Sequence, residues 1–232
     1  MTDFVETKVL TFDLFGTILD LGSSLVPYIR QSLDVRDVDS VTADAFWEQW
    51  RYRQRIEQYQ DTMLLLGHSG YLQTVRRALN YTLRQNGINA TSDTIDEFMH
   101  GWRYLSAFPE VLPALTRLQS QFKLVVLSNG DPDFLDQLVK ERVVWNFDDV
   151  VSVTNFGAFK PHPAVYRGLA GKLEIEVSEC MMVSANSFDI MGARGCGFRG
   201  AFVNRYNLPY EDTRYQPDVT VRDFTELVAA LL

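Results

Sequence analysis

Apolar and polar positions follow two regimes along the chain. Short, nearly continuous apolar runs occur at 9–15 (VLTFDLF), 123–129 (KLVVLSN), 180–186 (CMMVSAN) and 200–203 (GAFV), with a weaker one at 148–154 (DDVVSVT). Runs of this length, rich in β-branched or bulky residues and closing on small polar ones, predict strands buried on both faces. Between them, apolar residues recur at helical spacing over 109–122, 131–143, 162–173, 188–197 and 221–232. The first of these segments opens on a proline and the second on acidic residues, both favourable at a helix start. Strands alternating with helices predict an α/β fold, a Rossmann-like open parallel sheet with right-handed crossovers.

One stretch breaks the alternation. Residues 21–104 carry helical patterns only: SSLVPYIRQSL, TADAFWEQWRYRQRIEQY, YLQTVRRALNYTLRQNG and TSDTIDEFMHGWRYL. An insert of this size is too long for a plain crossover after the first strand. It reads as a helical cap domain over 21–104, interrupting a catalytic core made of 1–20 and 105–232.

Composition narrows the class without naming it. A chain of 232 residues with 46% hydrophobic and 22% charged residues builds a core without staples. A formal net charge of -8 argues against binding nucleic acid, which needs clustered Lys and Arg. Cys180 and Cys196 have neither metal nor redox spacing and read as reduced thiols of a cytoplasmic protein. The polar start MTDFVETK does not resemble a signal peptide, and no apolar run approaches the ~18 residues of a membrane span. His68, His100 and His162 form no triad and no metal spacing, and read as structural or exposed.

In open α/β sheets, ligands bind outside the carboxyl ends of the strands, so the strand-end residues carry the chemical information. Here they are Asp13 to Thr17 (DLFGT), Ser128 and Asn129 (SNG), Lys160 on the loop FKPHPAVY, and Ser184 to Asp189 (SANSFD). In this order, and with a helical insert after the first, these four segments resemble the four motifs of the haloacid dehalogenase superfamily. The details resemble its L-2-haloacid dehalogenases, the type II haloacid dehalogenases. Trp50–Arg51 is similar to that family's cap Trp-Arg. KPHPAVY is similar to its lysine and tyrosine segment, and SANSFD to its Ser-x-Asn-x-x-Asp. The likeness runs over nearly the whole chain. Phosphatases and mutases of the superfamily place a second aspartate two residues after the nucleophile; here that residue is Phe15. They also gather acids in the fourth motif to hold magnesium. Here Ser184 takes the first acid position, leaving Asp189. A hard cation wants more carboxylate than Asp13 and Asp189 supply, so no metal and no cofactor is expected.

The resemblance implies a role for each residue. Asp13 attacks the halide-bearing carbon and forms an ester, splitting a hard hydrolysis into two steps. Lys160 supplies a countercharge beside it, and Thr17 orients it. Ser128, with Asn129 and the backbone amides at Leu14 and Phe15, holds the substrate carboxylate. Arg51 receives the departing halide, as a fixed cation in a dry pocket can. Asp189, with Ser184 and Asn186, positions and activates the water that opens the ester, and Tyr166 hydrogen-bonds into this group. Phe15 and Phe188 wall a short alkyl chain.

The implied activity is hydrolytic dehalogenation of short (S)-2-haloalkanoic acids to (R)-2-hydroxy acids. The expected partners are the small-molecule haloacid, water and a second copy of the chain in a homodimer. Three alternatives stand beside it: opening of a strained ring such as azetidine-2-carboxylate by the same nucleophile, a magnesium-dependent phosphatase, and a non-catalytic binding protein that keeps the fold. The better-known members carry Gln and Leu where this chain has Tyr52 and Arg55, and whether these two shift specificity away from 2-haloacids is left open by the sequence.

Overall fold

The computed structural model describes residues 6–64 and 67–232. Residues 1–5, most of the polar start weighed against a signal peptide, lie outside the described residues, as do Leu65 and Leu66. In chain order the elements begin with β1 (Val9–Phe12), β2 (Leu19–Asp20), α1 (Leu21–Asp34), α2 (Ala43–Met63), α3 (Tyr71–Gln85) and α4 (Ser92–His100). They continue with β3 (Ser106–Ala107), α5 (Val111–Leu118), β4 (Lys123–Ser128), α6 (Pro132–Leu138), β5 (Asp149–Ser152) and α7 (Pro163–Leu173). The last are β6 (Cys180–Ser184), α8 (Ser187–Gly195), β7 (Arg199–Val203), β8 (Val219–Val221) and α9 (Phe224–Leu231). The chain divides into two compact units: Asp20–Ser106, and the remainder, up to Leu19 and from Ala107 to Leu232. It passes between them at β2 and β3, which pair as a separate two-stranded sheet.

The larger unit is a six-stranded parallel sheet in the order β5-β4-β1-β6-β7-β8. All five strands expected from the apolar runs are present. The sixth, β8, occupies Val219–Val221, so the helix expected from 221 begins only at Phe224, capped by the Asp223 side chain accepting from the Glu226 amide. Strand side chains alternate between two apolar layers. Val9, Val125, Leu127, Val151, Cys180 and Met182 pack with Val165, Tyr166 and Leu169 of α7 and Ile190 and Ala193 of α8. On the opposite face Phe12 stacks on Phe224 of α9, with ring centroids 5.8 Å apart. The helix expected over 131–143 is α-helical only to Leu138 and closes with a π-helical turn, Val139–Val143, ended by Val144 in the left-handed region.

Sheet order reverses at β1: the chain moves outward through β4 and β5, then returns to the other flank for β6, β7 and β8. That reversal opens a crevice at the strand ends, where ligands of doubly wound sheets bind. The apolar run 9–15 stops being strand at Phe12, because Gly16 turns the chain at φ 85°, a conformation that favours glycine. The turn closes with the Leu14 carbonyl accepting from the amides of Ile18 and Leu19.

Among the described residues the smaller unit carries four α-helices, three of which start on a side-chain cap. Asp20, Thr42 and Thr91 accept from backbone amides at the starts of α1, α2 and α4. Its core is aromatic: Trp50 packs edge-on against Phe46, Phe98 and Trp102, and its indole N–H donates to the Val75 carbonyl at 2.9 Å. Trp50 is therefore an anchor that fixes the rotation of α2. No helix among the described residues is long and apolar enough to cross a membrane.

Candidate active site

Asp13 follows the last residue of β1 and stays tied to the sheet, its amide donating to the Val183 carbonyl at 3.0 Å. Its two carboxylate oxygens are held differently. Oδ2 accepts from the Thr17 hydroxyl at 2.9 Å and from the Asn186 side-chain amide at 2.8 Å. Oδ1 faces the Lys160 ammonium at 3.5 Å, its one side-chain partner among the described residues. Two donors restrain one oxygen and leave the other the better placed to attack. The Thr17 hydroxyl also accepts from the Ala185 amide at 2.9 Å. An amide can only donate, so the hydroxyl's own proton is left for Asp13, which fixes the direction of that bond.

Lys160 is fully buried and joins two carboxylates. Its ammonium lies 2.8 Å from Asp189 Oδ2, closer than to Asp13. The countercharge expected beside Asp13 is therefore shared, and its shorter contact is to Asp189. The other oxygen of Asp189 accepts from the Tyr166 hydroxyl at 2.8 Å. Burial pushes the Asp189 carboxyl above the usual range; the Lys160 ammonium pulls it back and the Asp13 charge pushes it up again. Burial and the adjacent Asp189 charge hold the Tyr166 phenol well above its ordinary value, so it keeps its proton and donates. Asp189 sits in the first turn of α8, where a carboxylate suits the helix N-terminus. Such a buried acid, raised and oriented on both oxygens, has the character of a general base.

The two flanking strands end alike. Ser128 closes β4 and Ser184 closes β6, and each hydroxyl accepts from the amide two residues on, Gly130 at 3.3 Å and Asn186 at 3.1 Å. Each hydroxyl keeps one proton to donate. The Asn129 side-chain oxygen accepts from the Lys160 amide at 2.9 Å, so Asn129 anchors the loop that presents Lys160. Asn186 donates to Asp13 Oδ2 and, at 3.4 Å, to the Phe15 carbonyl. Leu14 and Phe15 are buried, and the Phe15 ring stacks on Phe134 with centroids 6.1 Å apart. Phe188 is half-buried on α8.

Arg51 belongs to the smaller unit. On α2 it is half-buried and donates to the Gln54 side chain at 2.8 Å. Arg53 pairs with Glu57 at 2.6 Å, so this arginine stretch is not simply a solvated face. Tyr52 is 69% exposed. Among the described residues, no group of three or more His, Cys, Asp or Glu is placed to hold a metal ion. The gap between Asp13 and Asp189 is bridged by the protein's own cation, Lys160.

A family model described as haloacid dehalogenase-like hydrolase matches residues 7–197. The chain belongs to that family. Within it, the chain is 30% identical over 200 residues to an (S)-2-haloacid dehalogenase of Xanthobacter autotrophicus, spanning 85% of this chain and 75% of that one. It is 28% identical over 225 residues to the (S)-2-haloacid dehalogenase H-109 of Pseudomonas putida, spanning 96% of this chain and 97% of that protein. Among solved structures, the L-2-haloacid dehalogenase of Xanthobacter autotrophicus superposes with a TM-score of 0.86 at 25% identity, covering 97% of this chain and 98% of that one. The haloacid dehalogenase-like fold is thus carried over nearly the full length. Three of the four sequence motifs bring Asp13, Thr17, Lys160, Tyr166, Asn186 and Asp189 into one hydrogen-bonded cluster, and Asn129 of the remaining one holds the Lys160 amide. One further participant had no side-chain signal: the Ala185 amide that orients Thr17.

Proposed function

We propose that this haloacid dehalogenase-like hydrolase converts short (S)-2-haloalkanoic acids to (R)-2-hydroxy acids through an ester on Asp13. The observation that carries the reading is the buried Asp13–Lys160–Asp189–Tyr166 chain, with Phe15 where a phosphatase needs its second acid. Asp13 Oδ1 attacks the carbon bearing the halide from the side opposite to it. The new C–O bond forms as the halide departs with the bonding pair, inverting the carbon. Ser128, Asn129 and the amides at Leu14 and Phe15 hold the substrate carboxylate, Phe15 and Phe188 flank its alkyl chain, and Arg51 receives the halide. Water then attacks the ester carbonyl of Asp13 while Asp189, oriented by Tyr166 and assisted by Ser184, takes its proton. The tetrahedral centre collapses, the alcohol leaves with a proton, and Asp13 retains one oxygen from water. Lys160 neutralises charge through both steps without a metal.

Chloride release from L-2-chloropropionate, unchanged by EDTA, tests this. Turnover of azetidine-2-carboxylate without any haloacid would keep the nucleophile and change the leaving group. Magnesium-dependent phosphate release from an aryl phosphate, with no halide release, would replace the reading. The free Cys180 and Cys196 support a cytoplasmic location. Exposed Tyr52 and Met63 on α2 support a homodimer, to be read from the mass in solution by light scattering.

A further inference from the structure

The geometry points to Arg205 as a positioning residue for the nucleophile, acting through Thr17; the inference rests on the proposed role of Asp13. Arg205 lies just beyond β7, on a loop that matches none of the four motifs. Its guanidinium nonetheless turns inward, with a side chain 6% exposed. Nε donates to the Thr17 carbonyl at 3.0 Å. The guanidinium carbon lies 3.7 Å from the Phe108 ring centroid and 5.2 Å from that of Phe224. Nη1 pairs with Glu110 at 2.6 Å. Its neighbour Tyr206 donates to the Gly16 carbonyl at 3.3 Å.

Thr17 is therefore gripped at both ends. Its hydroxyl is set by Ala185 and Asp13, and its carbonyl by Arg205. Gly16 offers little resistance of its own, because glycine is the residue least able to define its backbone angles. The peptide after Thr17 is held on two sides, its N–H at Ile18 by the Leu14 carbonyl and its carbonyl by Arg205; with the carbonyl released the turn shifts, and the Thr17 hydroxyl no longer meets Asp13 Oδ2. That oxygen is what leaves Oδ1 as the attacking one. A guanidinium suits the slot, because its plane lies over the Phe108 ring while Nε donates to the Thr17 carbonyl and the charge pairs with Glu110. Lysine supplies the charge and neither the plane nor the Nε donor.

The test compares Arg205→Lys, Arg205→Ala and Thr17→Val in the full chain, with thermal unfolding of each variant measured alongside. In Arg205→Lys, kcat for L-2-chloropropionate falls by about 10- to 100-fold, since small misplacement of a reacting group costs that much. KM changes by less than about threefold, because substrate contacts are kept. Guanidinium added to Arg205→Ala restores activity. The double variant Thr17→Val with Arg205→Lys is no slower than Thr17→Val alone, because both remove one interaction. Independently of any substrate, hydrogen exchange at the Ala185 amide speeds up in Arg205→Lys, while the Met182 amide in β6 stays protected. Multiplicative losses in the double variant, or an unchanged Ala185 exchange rate, would overturn the role given to Arg205. If the unaltered protein turns over no haloacid, the proposed reaction fails, and Ala185 exchange still decides whether Arg205 sets Thr17.

Discussion

Replacing Tyr166 by Phe removes a single oxygen from a place that water cannot refill. Tyr166 and Asp189 are both fully buried, and the Tyr166 hydroxyl donates to Asp189 Oδ1 at 2.8 Å. No cavity of consequence forms, because the ring remains packed among Phe198 and its neighbours. A hydrogen bond to a charged partner is worth about 1.5–3 kcal/mol. Almost all of it acts on the ionised carboxylate, so its loss moves the Asp189 titration upward by about 1–2 pH units at about 1.4 kcal/mol per unit. Burial already raises Asp189 above the usual carboxylate range, so the loss adds to a shift of the same sign. The acidic limb of kcat/KM for chloride release is expected to move to higher pH by that amount. Stability follows with a defined sign. An acid raised on folding binds more protons folded than unfolded, so unfolding free energy declines as pH rises from the unfolded value through the folded one. Tyr166→Phe deepens that decline. An acidic limb that stays in place, with activity reduced equally at every pH, would refute the assignment of Asp189 as the base that Tyr166 orients.

Three other perturbations separate the parts of the site. Asp13→Asn removes the attacking carboxylate while keeping its shape, and halide release is expected to drop by at least about 10³-fold with the melting temperature near that of the parent. Phe15→Leu forfeits the ring pair with Phe134, worth about 0.5–1.5 kcal/mol, and loosens the apolar wall. A raised KM with no magnesium-dependent phosphatase activity is expected from steady-state assays. Gly192→Ala places a methyl 2.7 Å from the Tyr166 ring and from Pro161, so one of them must move. Chemical denaturation should register a loss of about 1–3 kcal/mol, with activity falling through the displaced Tyr166.

The sheet was legible because parallel strands buried on both faces announce themselves as continuous apolar runs, as at 123–129 and 180–186. Strand β8 was not, since three residues ending a polar loop carry no such signal, and its pairing with β7 is a tertiary choice. The end of β1 at Phe12 is set by Gly16 at positive φ, a backbone fact that the apolar run through Phe15 conceals. Asp13, Lys160 and Asp189 could be named from strand ends and motifs. Their mutual geometry could not: that Lys160 approaches Asp189 more closely than Asp13 depends on a loop held by Asn129. Asn186 shows the same limit, because its residue type suits water as well as a carboxylate, and only the first turn of α8 directs it to Asp13. Arg205 had no sequence signal, since an arginine on a polar loop is ordinarily solvated.

The most direct test of the ester on Asp13 is a single turnover with enzyme in excess over L-2-chloropropionate in heavy-oxygen water, followed by mass analysis of peptide and product. One heavy oxygen in the Asp13-containing peptide and none in the 2-hydroxypropionate is the predicted result. Label in the product with an unlabelled peptide would contradict it, because water would then have attacked the carbon directly.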